Sequence, residues 1–166
     1  PAVASLICPR KQVQYSGVIT STSLKKVKKY ARIYRWTGFR HCKLKVGTAG
    51  IDDVELLATA RRYLGKKIAI RVDANEAWTC DTVVTKLAPL NRFGIVAIEQ
   101  PVPHEQVGGL SAIKSQIDIP IMLDESLCSW TDAQRAIAEN FCDVFNIRLS
   151  KCGGFVDSLK LAALAR

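Results

Sequence analysis

Four acidic residues stand at the ends of three short apolar segments. Asp73 closes IAIRVD, Glu99 closes GIVAIE, and Asp124 closes IPIMLD with Glu125 directly behind it. Each segment has the length and β-branched composition of a strand, and a helix-like segment follows each one. The acids are 26 and 25 residues apart, about one strand-helix unit, so they are expected to meet at one edge of a parallel sheet. Three hard oxygen ligands at one edge predict a site for Mg²⁺ or a similar ion.

Two lysines lie in an earlier strand-like segment, HCKLKV at 41–46. Lys43 and Lys45 are two residues apart, so both ammonium groups point to the same face of a strand. Two like charges inside a barrel strand are costly unless anionic groups lie beside them. The three carboxylates supply those anionic partners, which predicts that both lysines belong to the same site.

Positioning these residues requires a regular alternation of strands and helices. Apolar periodicity predicts strands over 13–19, 41–46, 67–73, 95–99, 120–124 and 143–149. Helices are predicted over 24–35, 51–64, 80–90, 108–117 and 130–140, with a last one after the turn at 151–154. Six such units predict an α/β fold, a TIM-type (β/α) barrel whose site lies on the C-terminal face of the sheet.

A complete barrel of this type has eight units and about 250 residues, whereas this chain has 166. We therefore expect a partial barrel over 15–166 that lacks the last two strands, preceded by an irregular entry segment over 1–14. Two unpaired parallel edges would need cover from another segment or another copy of the chain. A homo-oligomer is accordingly one expectation.

Composition limits the class of protein. A hydrophobic content of 48% is enough for one core, and much of the net charge of +9 lies within residues 24–35. Apolar residues recur there at helical spacing among the lysines, which predicts an amphipathic helix with a solvated basic face rather than a nucleic-acid groove. The six cysteines form no CxxC pair, and no apolar run is long enough to span a bilayer. We therefore expect free thiols in a reducing cytoplasm, and neither a nucleic-acid nor a membrane partner.

Five short motifs follow one another along the chain: Lys43-Leu44-Lys45, Asp73-Ala74-Asn75, Glu99-Gln100-Pro101, Asp124-Glu125-Ser126 and Asn146-Ile147-Arg148. With them the chain resembles the enolase superfamily, in the muconate-lactonizing-enzyme branch of its mandelate racemase/muconate lactonizing enzyme family. The resemblance covers about residues 15–166. It implies a modified barrel that acts on a small carboxylate and is closed by an N-terminal capping domain, which this chain does not include.

The resemblance also implies a role for each matching residue. Asp73, Glu99 and Asp124 match the three Mg²⁺ ligands, Lys45 matches the base that removes the α-proton of the substrate, and Lys43 matches its electrostatic partner. Because that proton is very weakly acidic, bound Mg²⁺ must neutralise the enediolate that forms when the proton leaves. Four further residues are expected around the substrate or behind the metal ligands: Asn75, Glu125, Asn146 and Lys151.

The sixth strand departs from the family pattern. The family usually has a lysine where this chain has Arg148, on the side of the substrate opposite Lys45. An arginine stays protonated and is a poor base, although it is well suited to hold a carboxylate or an oxyanion. This favours one-base elimination, dehydration or cycloisomerisation, as in muconate cycloisomerases and o-succinylbenzoate synthases. The alternatives are a racemase or dipeptide epimerase with Arg148 or Lys151 as second base, and an inactive truncated product.

Overall fold

The computed structural model describes residues 13–166, which form one six-stranded sheet with helices between the strands. The strands are β1 (Ser16–Ile19), β2 (His41–Lys45), β3 (Ala69–Asp73), β4 (Ile95–Glu99), β5 (Ile121–Leu123) and β6 (Val144–Phe145). Every neighbouring pair is parallel, and the strands lie in chain order from β1 to β6. All six C-terminal ends therefore meet at one edge, and the predicted partial α/β barrel is confirmed.

The connecting helices are α1 (Leu24–Trp36), α2 (Asp53–Leu64), α3 (Cys80–Asn91), α4 (Leu110–Ile113), α5 (Trp130–Ala138) and α6 (Gly154–Leu164). Polar side chains fix where the helices begin. Asp52 accepts hydrogen bonds from the second and third amides of α2, and Ser129 and Asp132 form a reciprocal capping box on α5. Within residues 13–166, none of the helices has both the length and the apolarity needed to span a membrane.

The two faces of the sheet differ in chemistry. In β2 the side chains of Cys42 and Leu44 are buried in the hydrophobic core under the helices, while Lys43 and Lys45 alternate with them. In β3 the same alternation buries Ile70 and Val72 in that core. Residues on the other face, Arg71 and Asp73 among them, point away from the helices. The charged residues of the predicted site therefore share one face of the sheet.

Arg61 on α2 joins the loops at the N-terminal edge of the sheet. Its Nε donates to the carbonyl of Phe93 at 2.7 Å, and its Nη2 donates to that of Gly94 at 3.0 Å. Its Nη1 donates to the carbonyls of Gly65 at 2.9 Å and Ile68 at 2.7 Å. Burial lowers the pKa of the guanidinium from its usual value. One side chain thus ties the end of α2, the approach to β3 and the loop before β4.

Three predicted segments differ from the structure. The sixth strand, expected over 143–149, spans only Val144–Phe145, so Asn146 and Arg148 lie beyond its end. The helix expected over 108–117 is broken into a 3₁₀ turn at His104–Gly109, the four residues of α4 and a second 3₁₀ turn. Adjacent glycines and short apolar spacing disfavour a continuous helix there. The first strand begins at Ser16 rather than 13, and residues 1–12 of the predicted entry segment lie outside the described residues.

Candidate active site

The three predicted metal ligands lie at the C-terminal edge of the sheet. Asp73 and Glu99 are the last residues of β3 and β4 and are aligned in register across them. Asp124 directly follows β5. Their exposures are 2%, 0% and 2%, which is exceptional for carboxylates and requires compensating partners. We call this edge the C-terminal rim, and it comprises Lys43, Lys45, Asp73, Glu99 and Asp124 together with the side chains that contact these acids.

Asp73 and Glu99 share the ammonium group of Lys43. Lys43 Nζ lies 2.7 Å from Asp73 Oδ2 and 3.4 Å from Glu99 Oε1. Burial lowers the pKa of Lys43, but its hydrogen bonds and charge contacts with the two carboxylates outweigh burial and raise the pKa above its usual value. Lys43 is therefore held as a cation between two acids.

Glu99 is the most deeply buried of the three acids. Asn146 Nδ2 donates to its Oε1 at 2.7 Å, while Arg71 Nε lies 2.9 Å from Oε2 without the alignment of a hydrogen bond. The Oε2 atom is buried and accepts no hydrogen bond from the described residues. Burial and then the nearby Asp73 carboxylate raise the pKa of Glu99, despite Arg71, Lys43 and Asn146, which lower it. The surroundings therefore supply less positive charge than the ionised carboxylate requires.

Asp124 is held by two cations from beyond β6. Arg148 binds it with two parallel hydrogen bonds, Nε to Oδ1 at 2.8 Å and Nη2 to Oδ2 at 2.6 Å. Lys151 Nζ donates to Oδ1 at 2.9 Å and also to the Asp124 carbonyl. Burial raises the pKa of Asp124, but these contacts with Lys151 and Arg148 together lower it below its usual value. Arg148 thus acts here as a carboxylate-binding group.

Lys45 differs from the other rim cations because it has no anionic partner. It is half-buried and in register with Asp73 at the end of β2. Among residues 13–166 its ammonium group forms no hydrogen bond and no ion pair, whereas Lys43, Arg71, Arg148 and Lys151 each contact a carboxylate. Its amine is therefore available to a molecule that enters the rim.

The remaining predicted residues lie just behind this edge. Asn75 donates its backbone amide to Asp73 Oδ1 at 3.1 Å and its side-chain amide to Glu125 Oε1 at 3.2 Å. Glu125 also lies 3.8 Å from Arg148 Nη2. The structure therefore brings all ten predicted residues to one rim, with Asn75 and Glu125 supporting Asp73 and Arg148.

One supporting residue was missed at the level of sequence. Gln100, fully buried and at a positive φ of 37°, accepts hydrogen bonds from the backbone amides of Asp124 at 3.0 Å and Ser126 at 3.1 Å. Its amide donates to Ser126 Oγ at 2.6 Å and to the carbonyl of Val102 at 2.8 Å. Gln100, which follows β4, therefore holds the segment that contains Asp124 in place. The signal in the sequence was its place in the Glu99-Gln100-Pro101 motif, which does not indicate the hydrogen bonds that its side chain forms.

The rim offers the donor chemistry of a magnesium site. Three carboxylates are the hard oxygen ligands that Mg²⁺ prefers, and the buried Glu99 Oε2 has no hydrogen-bond donor. As the side chains of residues 13–166 stand, no three acidic, histidine or cysteine side chains converge closely enough to enclose an ion. The reason is visible in the contacts, since Lys43, Arg71, Arg148 and Lys151 hold the three carboxylates. Mg²⁺ would replace part of this compensating charge.

A parallel α/β barrel sheet carries acids at successive strand ends and paired lysines on an earlier strand, and β/α barrels place their active sites at this C-terminal face. Residues 26–166 match the family model described as Enolase C-terminal domain-like. The chain therefore belongs to the enolase superfamily, in its mandelate racemase/muconate lactonizing enzyme family. This confirms the resemblance inferred from the five motifs.

Relatives of known activity include epimerases and a cycloisomerase. The chain is 38% identical over 128 residues to a D-Ala-D/L-Ala epimerase of Cytophaga hutchinsonii, covering 77% of this chain and 35% of the relative. It is 31% identical over 148 residues to muconate cycloisomerase 1 of Acinetobacter baylyi, covering 89% of this chain and 39% of the relative. The chain thus spans about a third of the length of the curated relatives it matches.

Solved structures show the same likeness. The dipeptide epimerase of Cytophaga hutchinsonii, crystallised with Mg and the dipeptide D-Ala-L-Val, superposes with a TM-score of 0.89 at 33% identity, covering 98% of this chain and 44% of that one. Muconate cycloisomerase of Pseudomonas fluorescens gives 0.86 at 28% identity, covering 98% of this chain and 46% of that one. Both isomerase activities therefore occur on the fold of this chain.

Proposed function

We propose that this chain carries the active site of a Mg²⁺-dependent enzyme that removes the α-proton of a small carboxylate. The observation that supports it most is the arrangement of the C-terminal rim, where three buried carboxylates face a lysine without an anionic partner. Isolated buried carboxylates are costly, so a cluster of three at strand ends indicates a cation site. Lys45 beside it supplies a group that can take a proton.

Asp73, Glu99 and Asp124 would hold the metal. When bound, Mg²⁺ would neutralise the negative charge that develops on the substrate carboxylate as its α-proton leaves. Lys45 takes that proton on its Nζ, because it alone among the rim cations has no carboxylate partner. Lys43, held between Asp73 and Glu99, places a second cation two residues from Lys45 on the same face of β2.

Arg148 decides between one-base and two-base chemistry. Its guanidinium donates hydrogen bonds to both carboxylate oxygens of Asp124, and arginine is not deprotonated in proteins. In this arrangement it orients a metal ligand or an incoming carboxylate and takes no proton from the substrate. One-base elimination, dehydration or cycloisomerisation is therefore the reaction class that we favour.

A racemase or dipeptide epimerase is the second candidate. It is supported by relatives such as the D-Ala-D/L-Ala epimerase and an N-succinyl-L-Arg/Lys racemase of Bacillus cereus, which is 38% identical over 126 residues. In this chain Lys151 would have to serve as the second base. Its ammonium is engaged with Asp124, so it would have to leave that contact before taking a proton.

Proton exchange in D₂O tests the proposal and separates the two reactions. The chain with Mg²⁺ is offered L-Ala-L-Glu, an N-succinyl amino acid and muconate, and deuterium incorporation is followed by NMR. One-base chemistry predicts exchange with retained configuration, or product formation, that Lys45→Met abolishes. Lys86→Met, a matched change at an exposed lysine of α3, should have no effect.

Two results would count against this account. Deuterium entering with inversion, and lost in Lys151→Met, would establish the epimerase instead. Activity that survives in Lys45→Met would overturn the assignment of the base.

A further inference from the structure

The basic residues of the chain are not spread evenly along the sequence. Residues 1–51 contain eleven lysines and arginines and no aspartate or glutamate, whereas residues 52–166 contain thirteen basic and fifteen acidic residues. The whole positive net charge therefore belongs to the first third of the chain. The two rim lysines account for only part of it. Six of the eleven basic residues lie on α1, and Arg40 lies in the loop that follows α1.

A cavity of about 600 Å³ lies at the opposite end of the sheet from the rim. It is formed by the loop between α1 and β2, over residues 37–40, and by the loop between α2 and β3, over residues 65–68. We call it the basic cleft, because four of its lining residues are Arg35, Arg40, Lys66 and Lys67 and none is acidic. Its volume is in the range of small-molecule sites.

The four cations of the basic cleft have no partners within residues 13–166. None of the four side chains forms an ion pair or a hydrogen bond there, although every cation of the rim except Lys45 contacts a carboxylate. Four like charges around one concavity repel one another, and an anion that enters removes that repulsion. All four side chains are exposed, so salt screens part of this repulsion, and the cleft favours a multiply charged anion most at low ionic strength.

The backbone of the cleft is already fixed. Arg61 donates to the carbonyls of Gly65 and Ile68, so the segment that carries Lys66 and Lys67 is held from its inner side. Gly65 has a positive φ of 77°, and a Cβ there would lie 3.4 Å from Cζ of Arg35. The Arg35 guanidinium thus lies against the glycine and faces the cleft. A fixed backbone reduces the entropy that is lost when these side chains bind a ligand.

We propose that the basic cleft binds a small ligand that carries two or more phosphate groups. Two guanidinium groups and two ammonium groups match the three to four negative charges of such a ligand, and guanidinium binds phosphate oxygens with two parallel hydrogen bonds. The cleft is formed by loops that precede β2 and β3, whereas the rim lies at their other ends. Its ligand is therefore distinct from the carboxylate substrate, and this site does not depend on the proposed activity.

Calorimetry with pyrophosphate and tripolyphosphate tests this site. The titration uses the whole chain in EDTA, so that no Mg²⁺ binds either the ligand or the rim. Binding at a one-to-one ratio is expected, with orthophosphate at least tenfold weaker since it carries fewer charges. The double variant Arg35→Gln, Lys67→Gln should lose roughly tenfold or more in affinity for tripolyphosphate.

The matched control is the double variant Lys25→Gln, Lys29→Gln, which removes the same charge from exposed positions of α1 outside the cleft. It should change the affinity by no more than about twofold, since exposed charges at a distance are screened by salt. An equal loss in both double variants would overturn the proposal and show non-specific attraction. Tighter binding of a single-stranded oligonucleotide, abolished by the α1 control, would replace it with a nucleic-acid surface.

Discussion

Buried charged groups have different kinds of partner at the two ends of the sheet. At the C-terminal rim, buried carboxylates are balanced by cationic side chains such as Lys43 and Arg148. At the N-terminal edge, the guanidinium of Arg61 is balanced by four backbone carbonyls. Side-chain partners can rotate away when a ligand arrives, but backbone carbonyls in fixed loops cannot. The ion pairs of the rim can therefore exchange partners, whereas Arg61 and its four carbonyls stabilise the fold.

This difference agrees with the general division of labour in β/α barrels, where chemistry lies at the C-terminal face and the other face contributes stability. The basic cleft refines that division. It lies at the N-terminal edge, where Arg61 holds the backbone of one of its loops by hydrogen bonds. Its four cations have no partners among residues 13–166. A rigid support and an unbalanced charge together are what a binding site needs.

The largest effect is expected from removal of the Arg61 guanidinium. Arg61→Ala leaves four carbonyls without their donor and should lower the free energy of unfolding by about 3 kcal/mol, since hydrogen bonds to charged groups are stronger than neutral ones. Urea unfolding followed by circular dichroism measures the change. The exposed neighbour Arg62→Ala is the control and should stay within about 0.5 kcal/mol of the unsubstituted chain. Equal stability of the two variants would remove the distinction between the two ends.

A smaller loss of stability, with a loss of metal affinity, is expected at Gln100. Gln100→Leu leaves the buried amides of Asp124 and Ser126 without an acceptor, which costs about 1–3 kcal/mol. Because Asp124 loses its anchor, the Mg²⁺ affinity measured by calorimetry should fall roughly tenfold. Gln116→Leu, at an exposed position, should change neither quantity. A stability loss without any loss of affinity would make Gln100 a purely structural residue.

The smallest effect concerns a thiol near the N-terminal edge. Burial raises the pKa of Cys42 to about 12, and the charge of Arg61 only partly offsets this. At pH 8 the thiol is therefore protonated, and alkylation should require local opening of the fold. Iodoacetamide labelling, followed by peptide mass spectrometry, should modify the exposed Cys128 first and Cys42 faster in Arg61→Ala than in the unsubstituted chain. Equal rates at Cys42 and Cys128 in the unsubstituted chain would contradict the compact N-terminal edge.

Much of the fold followed from periodicity. The second strand begins at His41 and the fourth ends at Glu99 as predicted, because the second alternates polar and buried residues and the fourth is an apolar run that stops before Pro101. The sixth strand was predicted too long. Its register with β5 ends at Phe145, and the amide of Asn146 still donates to the carbonyl of Leu123 at 2.8 Å, whereas the sequence FNIRLS continues to alternate beyond that point. Alternation of polar and apolar residues predicts which residues are buried, but it does not predict where pairing with a neighbouring strand ends.

The residues of the candidate site could be predicted from the sequence, but most of the contacts between them could not. Asp73, Glu99 and Asp124 could be placed at one edge because strand-helix units return the chain to it. That Lys151 reaches back to Asp124 depends on the turn after β6, and the donor pattern of Gln100 depends on its positive φ. Neither is encoded in a spacing rule. The basic cleft was also missed, because its cations come from the end of α1 and from two separate loops, and they look like ordinary surface charge in the sequence.

A magnesium titration of the chain tests the central claim most directly. Calorimetry with MgCl₂ is run on the unsubstituted chain, on Asp124→Asn, and on Asp118→Asn, which makes the same charge change at an exposed position. If the three strand ends form one site, the unsubstituted chain and Asp118→Asn bind one Mg²⁺, and Asp124→Asn loses that binding while remaining folded. Equal binding by all three proteins, or no binding by the folded unsubstituted chain, would contradict a metal site at the C-terminal rim.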